Sequence, residues 1–272
     1  LRKRCLIWRF LKHFPEDTMP EAAAKTVFQA SAWREGNDGR RPENRRYGIV
    51  SAVVFDMDGV LFDTERLCQE SWLAVARECG LPDMELIFPR CIGLNANDSR
   101  RIVMEAYGED FDYDGFRGKA SAWFWDYMEQ KGLPVKPGAA ELLTWLGEQG
   151  WPVGLASSTR RSTVLKHLEQ AGFREDFSVI VTGDMVEHSK PQPDIYLMAC
   201  RELKVEPREC YAIEDSPNGI RSAYRAGMHP LMVPDMIAPD QEMRELSERI
   251  FRDLGEVLEF LKNQRRKGRA DL

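Results

Sequence analysis

The sequence predicts an α/β protein with one parallel sheet and an inserted helical segment, and three patterns support this. Short apolar segments alternate with amphipathic helical segments from residue 137 onward. Such alternation is typical of a Rossmann-like parallel sheet with helices on both faces. Before this part, residues 65–132 show helical spacing without a strand pattern. The polar motifs of the chain follow the predicted strands, and the carboxyl ends of strands are where such folds bind ligands.

The first predicted strand, residues 53–55, ends in two aspartates and a glycine. Asp56 and Asp58 are separated by Met57, and Gly59 follows. Side chains at i and i+2 face one side of a strand, and at a strand end that turns they can converge on one pocket. Two carboxylates held together repel each other and favour a cation between them. A buried strand with an acidic turn is the alternative, because Asp and Gly are common turn residues.

A second polar motif follows the predicted strand over residues 153–156. Ser157, Ser158 and Thr159 precede a predicted helix over residues 163–171. Hydroxyls and free N–H groups at a helix start form an anion site. A serine before a helix can also be an N-cap and nothing more.

Two further motifs contain a lysine and a second pair of acids. Lys190 lies between Ser189 and a proline, in a stiff loop that suits a positioned charge, although most lone lysines are only solvated. The predicted strand over residues 211–213 ends in Glu214 and Asp215, which repeats the pattern of the first strand.

The remaining predicted elements complete the alternation of strands and helices. The chain ends in an amphipathic segment over residues 242–262 and a basic terminus over residues 264–269. The other helices are predicted over residues 139–149, 195–203 and 220–226, and the other strands over residues 179–182 and 230–233.

The four motifs, in this order, resemble those of the haloacid dehalogenase-like hydrolase superfamily, in particular its β-phosphoglucomutase-like phosphatase branch (subfamily IA type). The resemblance covers residues 50–235 and rests on motifs in a matching strand–loop–helix context. It implies a core domain over residues 49–64 and 134–272. It also implies a small helical cap domain over residues 65–133, inserted after the first motif.

The resemblance also assigns roles to individual residues. It implies that Asp56 is the nucleophile and that Asp58 is the general acid and base, with Ser157 and Lys190 completing the catalytic set. A Mg²⁺ ion is expected as cofactor, held by Asp56, Asp58, Glu214 and Asp215. Asp63 and Thr64 are expected in the hinge to the cap, where a turn and a helix N-cap are an equal alternative. Substrate contacts are expected from Met57, Ser158, Arg160 and Asn95.

The implied activity is Mg²⁺-dependent hydrolysis of a small phosphorylated metabolite, such as a sugar phosphate, through an aspartyl-phosphate. Sugar-phosphate mutases of this family have a histidine at the place of Cys68 and a lysine at the place of Ile92, whereas Arg160 keeps a basic residue after the second motif. Because two of these three positions differ from the mutase pattern, the sequence favours a phosphatase. A mutase, a catalytically silent binding module and, less favoured, a haloacid dehalogenase are the alternatives.

Composition excludes several other classes. The chain has 272 residues and a formal net charge of −6, and residues 49–272 contain no basic stripe of the kind that nucleic acid needs. It contains no stretch of eighteen apolar residues, so no membrane partner is expected. The six cysteines form no CxxC or metal-type pattern, which favours free thiols in a cytoplasmic protein. We expect a monomer or a weak dimer.

Residues 1–48 are basic and poor in motifs. Residues 34–46 are polar and aperiodic, which indicates disorder or a linker. The preferred hypothesis is that the natural chain begins near Val50. A transit peptide and a surface-binding helix over residues 6–14 are the two alternatives.

Overall fold

The computed structural model describes residues 50–92 and 96–270. The expected extension over residues 1–48 and the nominated substrate residue Asn95 lie outside the described residues.

One sheet of six parallel strands organises the fold, as the alternation predicts. The strands lie in the order β3–β2–β1–β4–β5–β6, so β1 is central, between β2 and β4. Their bounds are β1 Ala52–Phe55, β2 Val153–Ser157, β3 Val179–Thr182, β4 Cys210–Glu214, β5 His229–Met232 and β6 Arg249–Ile250.

Helices connect the strands. None of those described is both long and apolar enough to cross a membrane. Their bounds are α1 Thr64–Cys79, α2 Met84–Ile87, α3 Ala96–Tyr107, α4 Tyr113–Lys131, α5 Ala139–Glu148, α6 Arg161–Ala171, α7 Asp194–Leu203, α8 Pro217–Arg225, α9 Gln241–Leu246 and α10 Leu254–Ala270.

The C-terminal part contains a strand that the sequence pattern does not predict. The amphipathic segment over residues 242–262 is divided into parts of α9 and α10 by β6, which pairs with β5 through Leu231 and Arg249. A strand of two residues is too short to show periodicity. Only its pairing identifies it.

Helices cover both faces of the sheet, and this explains why β1 is apolar throughout. Val53 and Phe55 pack on one face, with residues of α5, α6 and α10. Ala52 and Val54 pack on the other, with residues of α7 and α8. Because alternate side chains of a strand point to opposite faces, a strand buried on both sides shows no polar alternation.

Helices α1 to α4 form an insertion between β1 and β2, which we call the helical insertion (residues 64–131). It has its own apolar cluster, in which the Trp72 ring lies edge-on to Phe88 at 5.2 Å and to Phe116 at 5.4 Å between ring centroids. The chain segments that enter and leave it pair with each other. At the base of the helical insertion, Asp63 N–H donates to the Pro134 carbonyl at 2.9 Å.

Ion pairs tie these two segments to the loop after β5. Asp235, whose side chain is 1% exposed, receives Lys136 Nζ at 2.6 Å and Arg66 Nη2 at 3.2 Å. Lys136 and Arg66 each lie 3.3 Å from Asp63 Oδ1 as well. The start of the helical insertion is therefore fixed to the sheet by four alternating charges.

Candidate active site

The predicted site residues meet at the carboxyl edge of the sheet. Asp56 directly follows β1, and its N–H donates to the Ile213 carbonyl of β4 at 2.9 Å. Ser157 is the last residue of β2 and Glu214 the last residue of β4. Because β1 lies between β2 and β4, these three side chains come together, with Asp215 next to them.

Lys190 joins two of the carboxylates. Its Nζ donates to Asp56 Oδ1 at 2.5 Å, to Glu214 Oε1 at 2.7 Å and to the Ala156 carbonyl at 2.9 Å. Burial alone lowers the pKa of the Lys190 ammonium, but Asp56 and Glu214 reverse this and hold the pKa above its usual value. Lys190 is therefore a permanent, positioned charge.

Glu214 is fully buried and its carboxylate is already engaged. Oε1 accepts from Lys190 and from the Tyr196 hydroxyl at 2.7 Å, and Oε2 accepts from the N–H groups of Asp215 and Ser216 and from the Ser216 hydroxyl. Tyr196 is a site residue that sequence reasoning missed, because nothing in the helix pattern separates it from a core aromatic. This arrangement supports a role for Glu214 in holding Lys190.

The acids form a cluster of oxygens suited to a hard cation. One carboxylate oxygen each from Asp56, Glu214 and Asp215 lies within 4.8 Å of the others. Burial raises the pKa of Asp56 to about 8, against the opposing charge of Lys190, and Glu214 and Asp58 add to the increase. Burial, followed by Glu214 and Asp56, also holds the pKa of Asp215 well above its usual range. Three carboxylates lie together here and one ammonium contacts only two of them, so a divalent metal fits this donor set.

Asp58 is held apart from this cluster by two threonine hydroxyls. Thr64 Oγ1 donates to Asp58 Oδ1 at 2.7 Å, and Thr159 Oγ1 donates to Oδ2 at 2.8 Å. Thr64 begins α1, whereas Asp63 at the N-cap position makes no side-chain capping bond. Thr64, the first residue of α1, therefore orients the Asp58 carboxylate. Thr159 is a site residue to which the second motif alone assigns no role, and its place two residues after Ser157 is the available signal.

The remaining nominated residues differ in how closely they approach this centre. The Ser157 side chain is fully buried, 3.5 Å from Asp58 Oδ2, and its Oγ accepts the Thr159 N–H at 3.1 Å. The Met57 side chain is also fully buried, so only its backbone can face a ligand. Ser158 and Arg160 are exposed at the start of α6, where their placement near the carboxylates stays a prediction.

Gly59 permits the close approach of the first and fourth motifs. Its φ is +82°, and a Cβ there would lie 2.3 Å from Asp215 Oδ2. We expect Gly59→Ala to displace the Asp215 carboxylate and to strain the turn, at a cost of about 1–3 kcal/mol in the free energy of unfolding. Urea unfolding with and without Mg²⁺ measures both effects, because the metal should stabilise the variant less than the wild type.

Gly147→Ala is the matched control. Gly147 lies in α5 with open space where a Cβ would be, so alanine should stabilise the protein slightly. Equal stability and equal Mg²⁺ response of the two variants would contradict the role given to Gly59.

Comparison with known proteins agrees with this geometry. The sequence profile of haloacid dehalogenase-like hydrolases matches residues 50–227. A putative phosphatase of Bacillus subtilis, YhcW, is 34% identical over 190 residues, covering 70% of this chain and 86% of that protein. A phosphorylated carbohydrates phosphatase of Thermotoga maritima is 33% identical over 184 residues, covering 66% and 82%.

A solved structure supports the same relationship. The putative β-phosphoglucomutase from Thermotoga maritima has a TM-score of 0.68 and 30% sequence identity to this chain, covering 78% of it and 99% of that protein. The parallel sheet, the four motifs at its carboxyl edge and these matches agree with one another. The chain belongs to the haloacid dehalogenase-like hydrolase family, and it is a phosphatase of the β-phosphoglucomutase-like branch.

Proposed function

We propose that this phosphatase is Mg²⁺-dependent and hydrolyses a small phosphorylated metabolite, such as a sugar phosphate, through an aspartyl-phosphate on Asp56. The observation that carries the proposal is the contact of Lys190 with both Asp56 and Glu214, with the Asp215 carboxylate close by. This arrangement fixes a carboxylate nucleophile in a pocket able to balance phosphoryl charge. The name of the Thermotoga maritima relative, a phosphorylated carbohydrates phosphatase, supports a phosphorylated carbohydrate as substrate.

In the first step, an Asp56 carboxylate oxygen attacks phosphorus in line with the leaving oxygen. The bond from phosphorus to the leaving oxygen breaks, and Asp58 donates its proton to that oxygen. Thr64 and Thr159 hold the two oxygens of Asp58 in place. Lys190 balances charge on Asp56 and on the phosphoryl oxygens throughout.

In the second step, Asp58 removes a proton from a water molecule, which attacks the phosphorus of the aspartyl-phosphate. The bond between phosphorus and the Asp56 oxygen breaks, and inorganic phosphate leaves. Ser157 and the N–H groups of Ser158 and Met57 are the proposed donors to the phosphoryl oxygens. Asp56, Asp215 and the Asp58 carbonyl are the proposed metal ligands, with Glu214 assisting. A Mg²⁺ ion bound there would neutralise part of the developing charge.

We propose further that the helical insertion is a cap over this site, as expected for residues 65–133. Thr64 supports this, since the first residue of α1 bonds directly to the catalytic acid. A cap that closes excludes water and large substrates, which favours a small metabolite. Cys68 and Ile92, in place of the mutase histidine and lysine, favour transfer of the phosphoryl group to water over transfer to a second sugar oxygen.

Metal removal tests the proposed function. We expect chelated protein to be inactive on 4-nitrophenyl phosphate and Mg²⁺ to restore turnover, because the acid cluster then regains a counter-charge. Equal turnover with and without a chelator would contradict the proposal. Product analysis with hexose 1-phosphates separates hydrolysis from mutase chemistry, since only hydrolysis releases inorganic phosphate.

Melting temperature gives a second readout of the metal site. The raised pKa of Asp56 means that the folded, metal-free protein binds more protons than the unfolded chain between its usual value of 3.8 and about 8. Stability therefore falls as pH rises through this window. A divalent cation binds the deprotonated acids, so we expect Mg²⁺ to raise the melting temperature more at about pH 8 than at about pH 6. The opposite order would contradict the assigned cluster.

A further inference from the structure

Tyr196 is a fully buried tyrosine whose hydroxyl is not explained by packing. It lies on α7 in the apolar cluster that covers one face of the sheet, together with Ile195 and Ala199. A phenylalanine ring would fill the same space. A buried tyrosine hydroxyl usually has a hydrogen-bond partner, and here the partner is a charged group of the active site, the Glu214 carboxylate, at 2.7 Å. The role of the hydroxyl is therefore to be found at the active site.

The Glu214 carboxylate is held from two sides. Its Oε1 accepts the two short hydrogen bonds, from Lys190 Nζ and from the Tyr196 hydroxyl, at 2.7 Å each. Its Oε2 accepts three longer ones, between 3.2 and 3.4 Å, from the two residues directly before α8. Gly219 of α8 packs so closely that a Cβ there would overlap the carboxylate. The carboxylate is therefore confined between Tyr196 and the first turn of α8.

Tyr196 faces the ammonium group of Lys190 as well as the acid. Lys190 Nζ lies 5.0 Å from the centroid of the Tyr196 ring, which is within the range of a cation–π interaction. Burial, followed by the charge of Glu214, holds the pKa of the Tyr196 phenol well above its usual value, so the hydroxyl keeps its proton and acts as a donor. One side chain thus contacts both members of the Lys190–Glu214 ion pair.

This arrangement affects how the charge of Lys190 is divided. An ammonium group has three hydrogens, and Lys190 donates to three acceptors, which are Asp56, Glu214 and the Ala156 carbonyl. Asp56 and Glu214 therefore compete for one positive charge. A second donor on Glu214 Oε1 weakens the attraction of Glu214 for Lys190, because the negative charge of that oxygen is shared between two donors. Without the hydroxyl, Lys190 would be drawn towards Glu214 and away from Asp56.

We propose that Tyr196 is a positioning residue, whose hydroxyl holds the Glu214 carboxylate so that the charge of Lys190 stays available to Asp56 and to the phosphoryl oxygens. This inference rests on the phosphatase function proposed above. Tyr196 acts through Glu214 and Lys190 and does not touch the substrate. Because Lys190 balances charge that develops in the transition state, loss of the hydroxyl should slow the reaction without weakening substrate binding.

Tyr196→Phe tests the inference, since it removes the hydroxyl and keeps the ring. With saturating Mg²⁺, kcat and kcat/KM on 4-nitrophenyl phosphate should fall by the same factor, ~10-fold, because a hydrogen bond to a charged group that supports the transition state is lost. KM should stay unchanged. Tyr211→Phe is the matched control, because Tyr211 is a buried tyrosine of β4 that belongs to the apolar cluster on the other face of the sheet. Its kcat should equal that of the wild type.

Phenyl phosphate, which has a more basic leaving oxygen than 4-nitrophenyl phosphate, separates an effect on Lys190 from an effect on Asp58. Lys190 acts on Asp56 and on the phosphoryl oxygens, so Tyr196→Phe should lower kcat/KM by the same factor for both esters. A general disturbance that reached the proton donor Asp58 would lower kcat/KM more for phenyl phosphate, because its leaving oxygen depends more on the proton.

Gly219→Ala perturbs the same carboxylate from the other side and leaves Tyr196 intact. The added Cβ would displace the Glu214 carboxylate, so kcat should fall while KM changes little. Gly147→Ala is the control, since a Cβ at Gly147 meets open space. This second variant tests the position of the carboxylate independently of any effect of Tyr196→Phe on folding.

Several results would overturn the inference. These are a wild-type kcat in Tyr196→Phe or in Gly219→Ala, a raised KM at unchanged kcat, an equal loss in Tyr211→Phe, and a larger loss on phenyl phosphate than on 4-nitrophenyl phosphate. Failure of the wild type to hydrolyse either ester with Mg²⁺ would instead reject the proposed function itself, and this result is read from the wild type alone.

Discussion

Asp56→Asn is expected to lower kcat by at least ~10⁴-fold on 4-nitrophenyl phosphate, because the amide cannot attack phosphorus as a carboxylate does. The variant keeps the shape of the side chain and removes one of the two carboxylates that accept hydrogen bonds from Lys190. Its melting temperature in the absence of Mg²⁺ should therefore be equal to or higher than that of the wild type.

The pairing of lost activity with retained stability is what identifies a nucleophile. Intact-mass analysis after rapid acid quench should show a phosphorylated wild-type chain and an unmodified variant. Asp126→Asn is a suitable control, since Asp126 is exposed on α4. Turnover by Asp56→Asn near the wild-type rate, or a phosphorylated variant, would show that another group attacks phosphorus.

Lys190→Met is expected to abolish turnover and also to destabilise the fold, which separates it from the Asp56 variant. The ammonium is buried and contacts Asp56, Glu214 and the Ala156 carbonyl. Without it, two buried carboxylates lack a counter-charge, at a cost of about 3–5 kcal/mol in the free energy of unfolding. Urea unfolding measures this loss, and the exposed Lys131→Met is the control.

A double variant distinguishes charge balance from packing. Adding Glu214→Gln to Lys190→Met removes one of the two unpaired charges, so stability should recover in part while activity does not. Purely additive losses would indicate that Lys190 contributes through its packed methylene groups and not through its charge.

Most of the fold and the motif residues could be predicted from the sequence. Strand ends and polar motifs are local features, so Asp56, Asp58, Ser157, Lys190, Glu214 and Asp215 could be placed at one edge of a parallel sheet before any contact was known. The two-residue strand β6 could not, because its identity depends on pairing with β5. The cap assignment for residues 65–133 and the individual site roles stay predictions.

The missed residues share a physical reason. Thr159 and Tyr196 gain their roles from carboxylates 101 and 18 residues away in the chain, and no local pattern encodes such a partner.

By itself, the sequence determined the chemical groups, their order and the alternation that brings strand ends to one edge, since these follow from residue type and short-range periodicity. The tertiary structure decided which charged groups contact one another. Lys190 reaches Asp56 across 134 residues of chain, and Asp56 and Glu214 there depend on one buried ammonium. The interaction between these charges depends on the distance between the side chains and on their burial. A segment of sequence determines neither of the two.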